Sequence, residues 1–148
     1  MIYTSSTPLV LHVSGTYGLR ADLLAAQIHV ESSGNPFAFR YEKDYFERYI
    51  HDHATAKGYS YGPLAACSYG LLQILLETAL EMGFGGKPQE LFDPMIGLSW
   101  GAKYLQHCLL KTGNDYPRAL ARYNGSGARA DAYAGKVFAT AETATGQT

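Results

Sequence analysis

The sequence predicts a mainly α fold built as a single domain, and three observations carry that prediction. Apolar residues recur at helical spacing, most clearly at Met95, Leu98, Ala102, Leu105 and Leu109. The periodic segments are bracketed by helix start and stop chemistry: Asp93 before Pro94, Asp115 before Pro117, and Gly113 and Gly125 after the ends. The 148 residues are 47% hydrophobic and 17% charged, enough for one core, with no repeat or linker to divide them.

Taken in order, residues 1–19 read as an irregular or extended segment, and the folded domain as residues 20–139. "RADLLAAQIHVES" is rich in Ala, Leu and Gln and predicts a first helix over about residues 20–32, ended by Gly34 and Pro36. In "YEKDYFERYIHDH", Tyr45, Phe46, Tyr49, Ile50 and His53 recur at helical spacing and predict a second, amphipathic helix. "KGYSYGP" is a turn-rich loop. The apolar run from near Gly70 predicts a helix that stops at Gly83, Gly85 and Gly86. Helices opened by Pro94 and Pro117 follow, then a last one over about 129–139, with 140–148 as a flexible tail.

Composition excludes several functions. A net charge of −1 provides no basic field for nucleic acid or an anionic membrane. No apolar run approaches the length of a membrane span, so no membrane insertion is expected. The N-terminal "MIYTSSTPLVLHVSGTYG" has neither a basic n-region nor a proper apolar h-region, so a secretory signal is not expected. Cys67 and Cys108 read as free buried thiols. His51 and His53 form an H-x-H without a third ligand nearby, so the sequence points to no metal and no cofactor.

Glu31 is the residue that the fold alone does not explain. It follows Leu24 and Ile28 at i+7 and i+3, so it shares their helical face. Desolvation by apolar neighbours and the negative end of the helix dipole both favour the neutral acid there, which suits a general acid. The other reading of the same position is a partly exposed carboxylate where the helix frays, or one paired with Arg20 or Arg40.

Three segments, in order, decide between these readings. "HVESSGNP", "CSYGLLQILLETA" and "ARYNGSG" resemble the Glu-Ser, Gly-Leu-Met-Gln and Ala-Tyr-Asn signatures of soluble-type (SLT) lytic transglycosylases of the lysozyme-like superfamily. "LFDPMIGLSWGAKYL" resembles that family's Asp-Pro turn opening a helix, and "DAYAGKV" its closing Tyr-containing helix. Each motif is weak alone; their order and spacing over residues 20–138 make the resemblance specific.

The resemblance implies a lysozyme-like helical fold with a substrate cleft, and peptidoglycan glycan strands as substrate. It implies cleavage of the β-1,4 bond between N-acetylmuramic acid and N-acetylglucosamine, with Glu31 as the one essential acid and base. The product would be a 1,6-anhydromuramic end. By position, Ser68 and Tyr69 would lie on the cleft floor, and Gln73 would be a cleft residue near Glu31. Tyr123 and Asn124 would offer a hydroxyl and an amide to the acetamido group or to Glu31, and Tyr133 would approach Glu31 from the last helix. Plainer roles exist for each: Gln73 bonding a neighbouring loop, Tyr123 in the core, and Asn124 as a left-handed helix stop.

Two departures stand out. Leu72 replaces the usual Met, a volume-conserving change. The stretch between Glu31 and Gly70 is longer than in the simplest members, and the extra segment, about 38–64, carries Tyr41, Tyr45, Phe46, Tyr49, Tyr59 and Tyr61. These suit either sugar stacking or core packing. The segment also holds Glu42, Asp44, Glu47 and Asp52, any of which, by holding a water, would make the protein a muramidase on the same bond. A non-catalytic glycan-binding or assembly module is the third reading. A wall-acting enzyme without a signal fits a phage lysin, a virion component or part of a secretion assembly.

Overall fold

The computed structural model describes residues 2–146. In chain order the elements are α1 (Pro8–Tyr17), α2 (Ala21–Ser32), β1 (Phe39–Tyr41), α3 (Lys43–Tyr45), β2 (Cys67–Tyr69), β3 (Ile74–Leu75), α4 (Leu76–Glu81), α5 (Pro94–Lys111), α6 (Tyr116–Asn124) and α7 (Ala128–Gly146). A π-helical turn over Phe46–Ile50 and 3-10 segments over Tyr59–Ala66 and Pro88–Phe92 complete the described structure. The chain forms two compact units: one takes the residues up to Gly34 and from Ala102 onward, the other Asn35–Gly101.

In the first unit, α2, the C-terminal half of α5, α6 and α7 share one apolar cluster. Leu23, Ala26, Leu105, Cys108, Leu109, Ala119, Leu120, Ala134 and Val137 are buried in it. The capping chemistry read from the sequence is present: Asp115 Oδ1 accepts from Arg118 N at 3.1 Å. The expected irregular start is corrected, because α1 occupies Pro8–Tyr17. Pro8 at its first turn is pre-organised for a helix start, and Val10 and Val13 are its buried anchors. α7 continues through Gly146, and residues 147–148 lie outside those described.

The second unit carries a three-stranded antiparallel sheet in the order β1-β2-β3, with Phe39 opposite Tyr69 and Ser68 opposite Leu75. The helix expected from near Gly70 is corrected here: β3 and a turn occupy residues 70–75, and only Leu76–Glu81 are helical. Gly70 (φ +76°) and Gln73 (φ +49°) are left-handed, which a helix does not admit. Gly70 is also required by space, since a Cβ there would stand 2.6 Å from the Leu91 carbonyl oxygen. The second amphipathic helix is reduced to α3 and the π turn, whose Ile50 is buried with Ala65 and Ala66.

Glu77 is the second unit's buried charge, only 3% exposed. Its Oε1 accepts from Lys57 N at 2.7 Å and its Oε2 from Gly58 N at 2.6 Å, so it fixes the end of the 51–58 loop. Gly58 cannot carry a side chain, because a Cβ would stand 2.7 Å from the Ala65 Cβ and 2.8 Å from Glu77 Oε2. Desolvation and the neighbouring Glu77 raise the Glu81 pKa above the ordinary carboxyl range.

Candidate active site

The candidate residues divide between the two units. Glu31, Tyr123, Asn124 and Tyr133 belong to the first, and Ser68, Tyr69 and Gln73 to the second.

Glu31 lies in the last turn of α2, beyond the buried Leu24 and Ile28. The helix ends at Ser33 (φ +53°), whose N–H returns to the His29 carbonyl. The Ser32 hydroxyl turns back along the helix and donates to Ile28 O at 3.1 Å. Glu31 keeps partial exposure, which a group that exchanges protons with a ligand needs. The arginines proposed as plain partners are engaged elsewhere, Arg20 with Asp22 at 2.8 Å and Arg40 with Glu42 at 3.2 Å.

α7 brings Tyr133 to this carboxylate, and its hydroxyl donates to Glu31 Oε2 at 3.0 Å. Tyr133 is 8% exposed. Burial, then the facing Glu31 carboxylate, pushes its pKa well above the ordinary phenol value, so the hydroxyl stays a donor through the neutral range. Burial and Glu31 act in the same direction on Tyr123, whose ring also packs 5.2 Å from that of Tyr104. Tyr123 as a residue keeps some surface in solvent; its hydroxyl end is the desolvated part. Asn124, the last residue of α6, is exposed, and its backbone is not left-handed; Gly125 (φ +153°) makes the turn instead.

Gln27 was not singled out in the sequence. It lies one turn before Glu31 on α2 and is fully buried, with its amide beside the Tyr133 hydroxyl. Neither Nε2 nor Oε1 meets a partner at hydrogen-bonding geometry. The available signal was a lone polar residue in the apolar stretch "LLAAQI", on the same face as Glu31.

In the second unit, Ser68 and Tyr69 are buried on β2, and the Tyr69 hydroxyl donates to Leu64 O at 3.1 Å. Gln73 Nε2 donates to both Ala38 O and Gly70 O at 3.0 Å, so this amide ties the turn after β2 to the residue before β1. That contact supplies the partner an amide in an apolar run requires. Phe39 meets Tyr69 edge-on, Phe92 packs tilted against Tyr69, and the three rings line a cavity of about 480 Å³ together with Tyr61 and Leu64.

The carboxylates of the 38–64 segment are at the surface. Glu42 pairs with Arg40, Glu47 with Lys43 at 3.9 Å, and Asp52 with His51 at 3.2 Å; Asp44 is exposed. Its tyrosines are in part solvent-facing, with Tyr41, Tyr49, Tyr59 and Tyr61 all more than one-third exposed. Cys67 and Cys108 are free and buried. Among the described residues no group of three or more His, Cys, Asp or Glu side chains could hold a metal ion, and no helix is long and apolar enough to cross a membrane.

No curated protein and no solved structure matches the chain. The model of one family does match, the transglycosylase SLT domain, over residues 9–144. That span takes in nearly all of α1 and of α7, as well as every candidate residue above. The chain therefore belongs to the SLT transglycosylase domain family, mainly α proteins of the lysozyme-like type that cleave peptidoglycan.

Proposed function

We propose that the protein is a lytic transglycosylase that cleaves the β-1,4 bond between N-acetylmuramic acid and N-acetylglucosamine and closes a 1,6-anhydro ring, with Glu31 as the only acid and base. The observation that carries this reading is the Tyr133–Glu31 hydrogen bond at the end of α2. It gives one carboxyl group a fixed orientation and a neutral donor. Protonated Glu31 delivers its proton to the glycosidic oxygen as the sugar gains oxocarbenium character. The resulting carboxylate, held by the Tyr133 hydroxyl, then takes the proton from the muramic acid 6-hydroxyl as that oxygen bonds to the anomeric carbon. The proton count closes on Glu31, and no water enters. A hydrolase needs a second carboxylate or an equivalent group to hold water; the surface ion pairs of the 38–64 segment do not favour that role for Glu42, Glu47 or Asp52. Tyr123 serves as a second neutral hydroxyl near Glu31, and Asn124, Ser68, Tyr69 and Gln73 are assigned to glycan binding.

The test is digestion of purified peptidoglycan by Glu31→Gln, which keeps the shape and removes the titrating proton. The variant is expected to lose nearly all activity while its circular dichroism stays unchanged. Retained activity would remove Glu31 from the reaction and with it this mechanism.

A further inference from the structure

Gln27 presents a contradiction that the fold does not resolve. An amide carries two donors and an acceptor, and burying it without partners is destabilising, so buried polar atoms are nearly always paired. Here the side chain is fully enclosed, neither polar atom meets a partner at ordinary hydrogen-bonding geometry, and the Tyr133 hydroxyl is a polar group that the amide approaches. A Leu or Met would fill the same buried space on α2 at lower cost. Gln27 is one turn from Glu31 on the same helix, and its amide faces the Tyr133 hydroxyl, which donates to Glu31.

The Tyr133 hydroxyl has a single proton, already directed at Glu31 Oε2, and its oxygen lone pairs are the complement of an amide N–H. We propose that Gln27 is a positioning residue for the reaction: its Nε2 donates to Tyr133 Oη and, through that hydroxyl, holds and polarises the donor that stabilises the Glu31 carboxylate. Donation into the phenol oxygen strengthens the phenol's own donation, because linked hydrogen bonds polarise one another. Hydrogen bonds of this kind are long in a resting enzyme and close as charge develops on the carboxylate. Gln27 touches no substrate. It acts on one stage, when Glu31 is an anion between delivering one proton and taking the next. This inference rests on the assignment of Glu31 as the acid and base.

The test pairs stability with kinetics for Gln27→Met, which keeps the volume and removes the amide. Replacing an unpaired buried amide with an apolar side chain should raise Tm, by roughly 2–4 °C. The same change should lower kcat roughly tenfold, the worth of one hydrogen bond of about 1.4 kcal/mol, with KM little changed. In a Tyr133→Phe background the kcat effect of Gln27→Met should vanish, because the relaying hydroxyl is gone. A merely structural glutamine would lose stability and activity together, and its effect would persist in the Tyr133→Phe background. Either result, or an unchanged kcat, overturns the proposal. Glu31→Gln run alongside separates the two assignments: an active Glu31→Gln sinks the acid, whereas an inactive one beside an unimpaired Gln27→Met sinks only Gln27.

Discussion

Glu77 offers the most quantitative test of how the second unit is held together. Its carboxylate receives two backbone N–H groups at 2.7 and 2.6 Å, from Lys57 and Gly58. Hydrogen bonds to a charged group contribute about 1.5–3 kcal/mol each. Lys57 is exposed, so water can replace the carboxylate at its N–H, whereas Gly58 is buried and would be left unpaired. Glu77→Ala should therefore cost about 3–5 kcal/mol, a large part of the roughly 5–15 kcal/mol that holds a protein folded. Glu77→Gln keeps one acceptor but turns an NH₂ donor toward one of the two N–H donors, so about 2–3 kcal/mol should be lost. Urea titration followed by circular dichroism gives both numbers, and at about 3 °C per kcal/mol the alanine variant should melt roughly 10 °C lower or more. Hydrogen exchange should show the Gly58 amide losing its protection. A loss below about 1 kcal/mol for Glu77→Ala would refute the reasoning, since it would mean the carboxylate gains no more from the two N–H groups than from water.

Three further outcomes follow from the same structure. Tyr133→Phe deletes the donor to Glu31 Oε2 and should reduce kcat by roughly 10–100-fold with unchanged circular dichroism, as expected for losing a hydrogen bond of about 1.5–3 kcal/mol to a charged group; activity at the wild-type level would show that the bond has no part in the reaction. Gly70→Ala must adopt φ +76° and push its Cβ against the Leu91 carbonyl, so it should destabilise by at least about 2 kcal/mol, with a melting shift too small for that as the contrary result. Burial pushes the Cys108 thiol up to about 11 from an ordinary 9.0. The unfolded thiol thus ionises first, and the stability this group contributes is fully present below about pH 9 and lost as pH rises toward about 11. The loss is on the order of 2 kcal/mol in urea titrations at pH 8 and 11, and Cys108→Ala should flatten the trend.

What could be read from the sequence follows the range of the interactions involved. α2, α5 and α6 were legible because their signals are local: Leu98, Ala102 and Leu105 repeat at helical spacing, and the Asp93 and Asp115 carboxylates cap N–H groups three residues away. α1 was hidden by the Thr- and Ser-rich lead-in to Pro8, which has the composition of a loop, although Pro8 is itself a start signal. The run "LLQILL" was misread because a short apolar stretch does not separate a buried strand from a helix. The left-handed Gln73 that decides the matter is stabilised by Ala38, 35 positions away. Glu77 and Gln27 were illegible for the same reason. The partners of Glu77 are 19 and 20 positions distant, and the hydroxyl facing Gln27 lies on another helix. The Glu31–Tyr133 pair spans 102 positions, and only the likeness to a family, not any local pattern, linked the two residues in advance.

The central claim is that Glu31 works alone, first as acid and then as base, so that the muramic acid 6-hydroxyl takes the place of water. Mass spectrometry of the muropeptides released from purified peptidoglycan tests it directly. The account predicts muramic ends one water lighter than their reducing counterparts and unchanged by borohydride. Reducing muramic ends that take up hydride would contradict it and turn the protein into a hydrolase whose water is held by a residue other than Glu31.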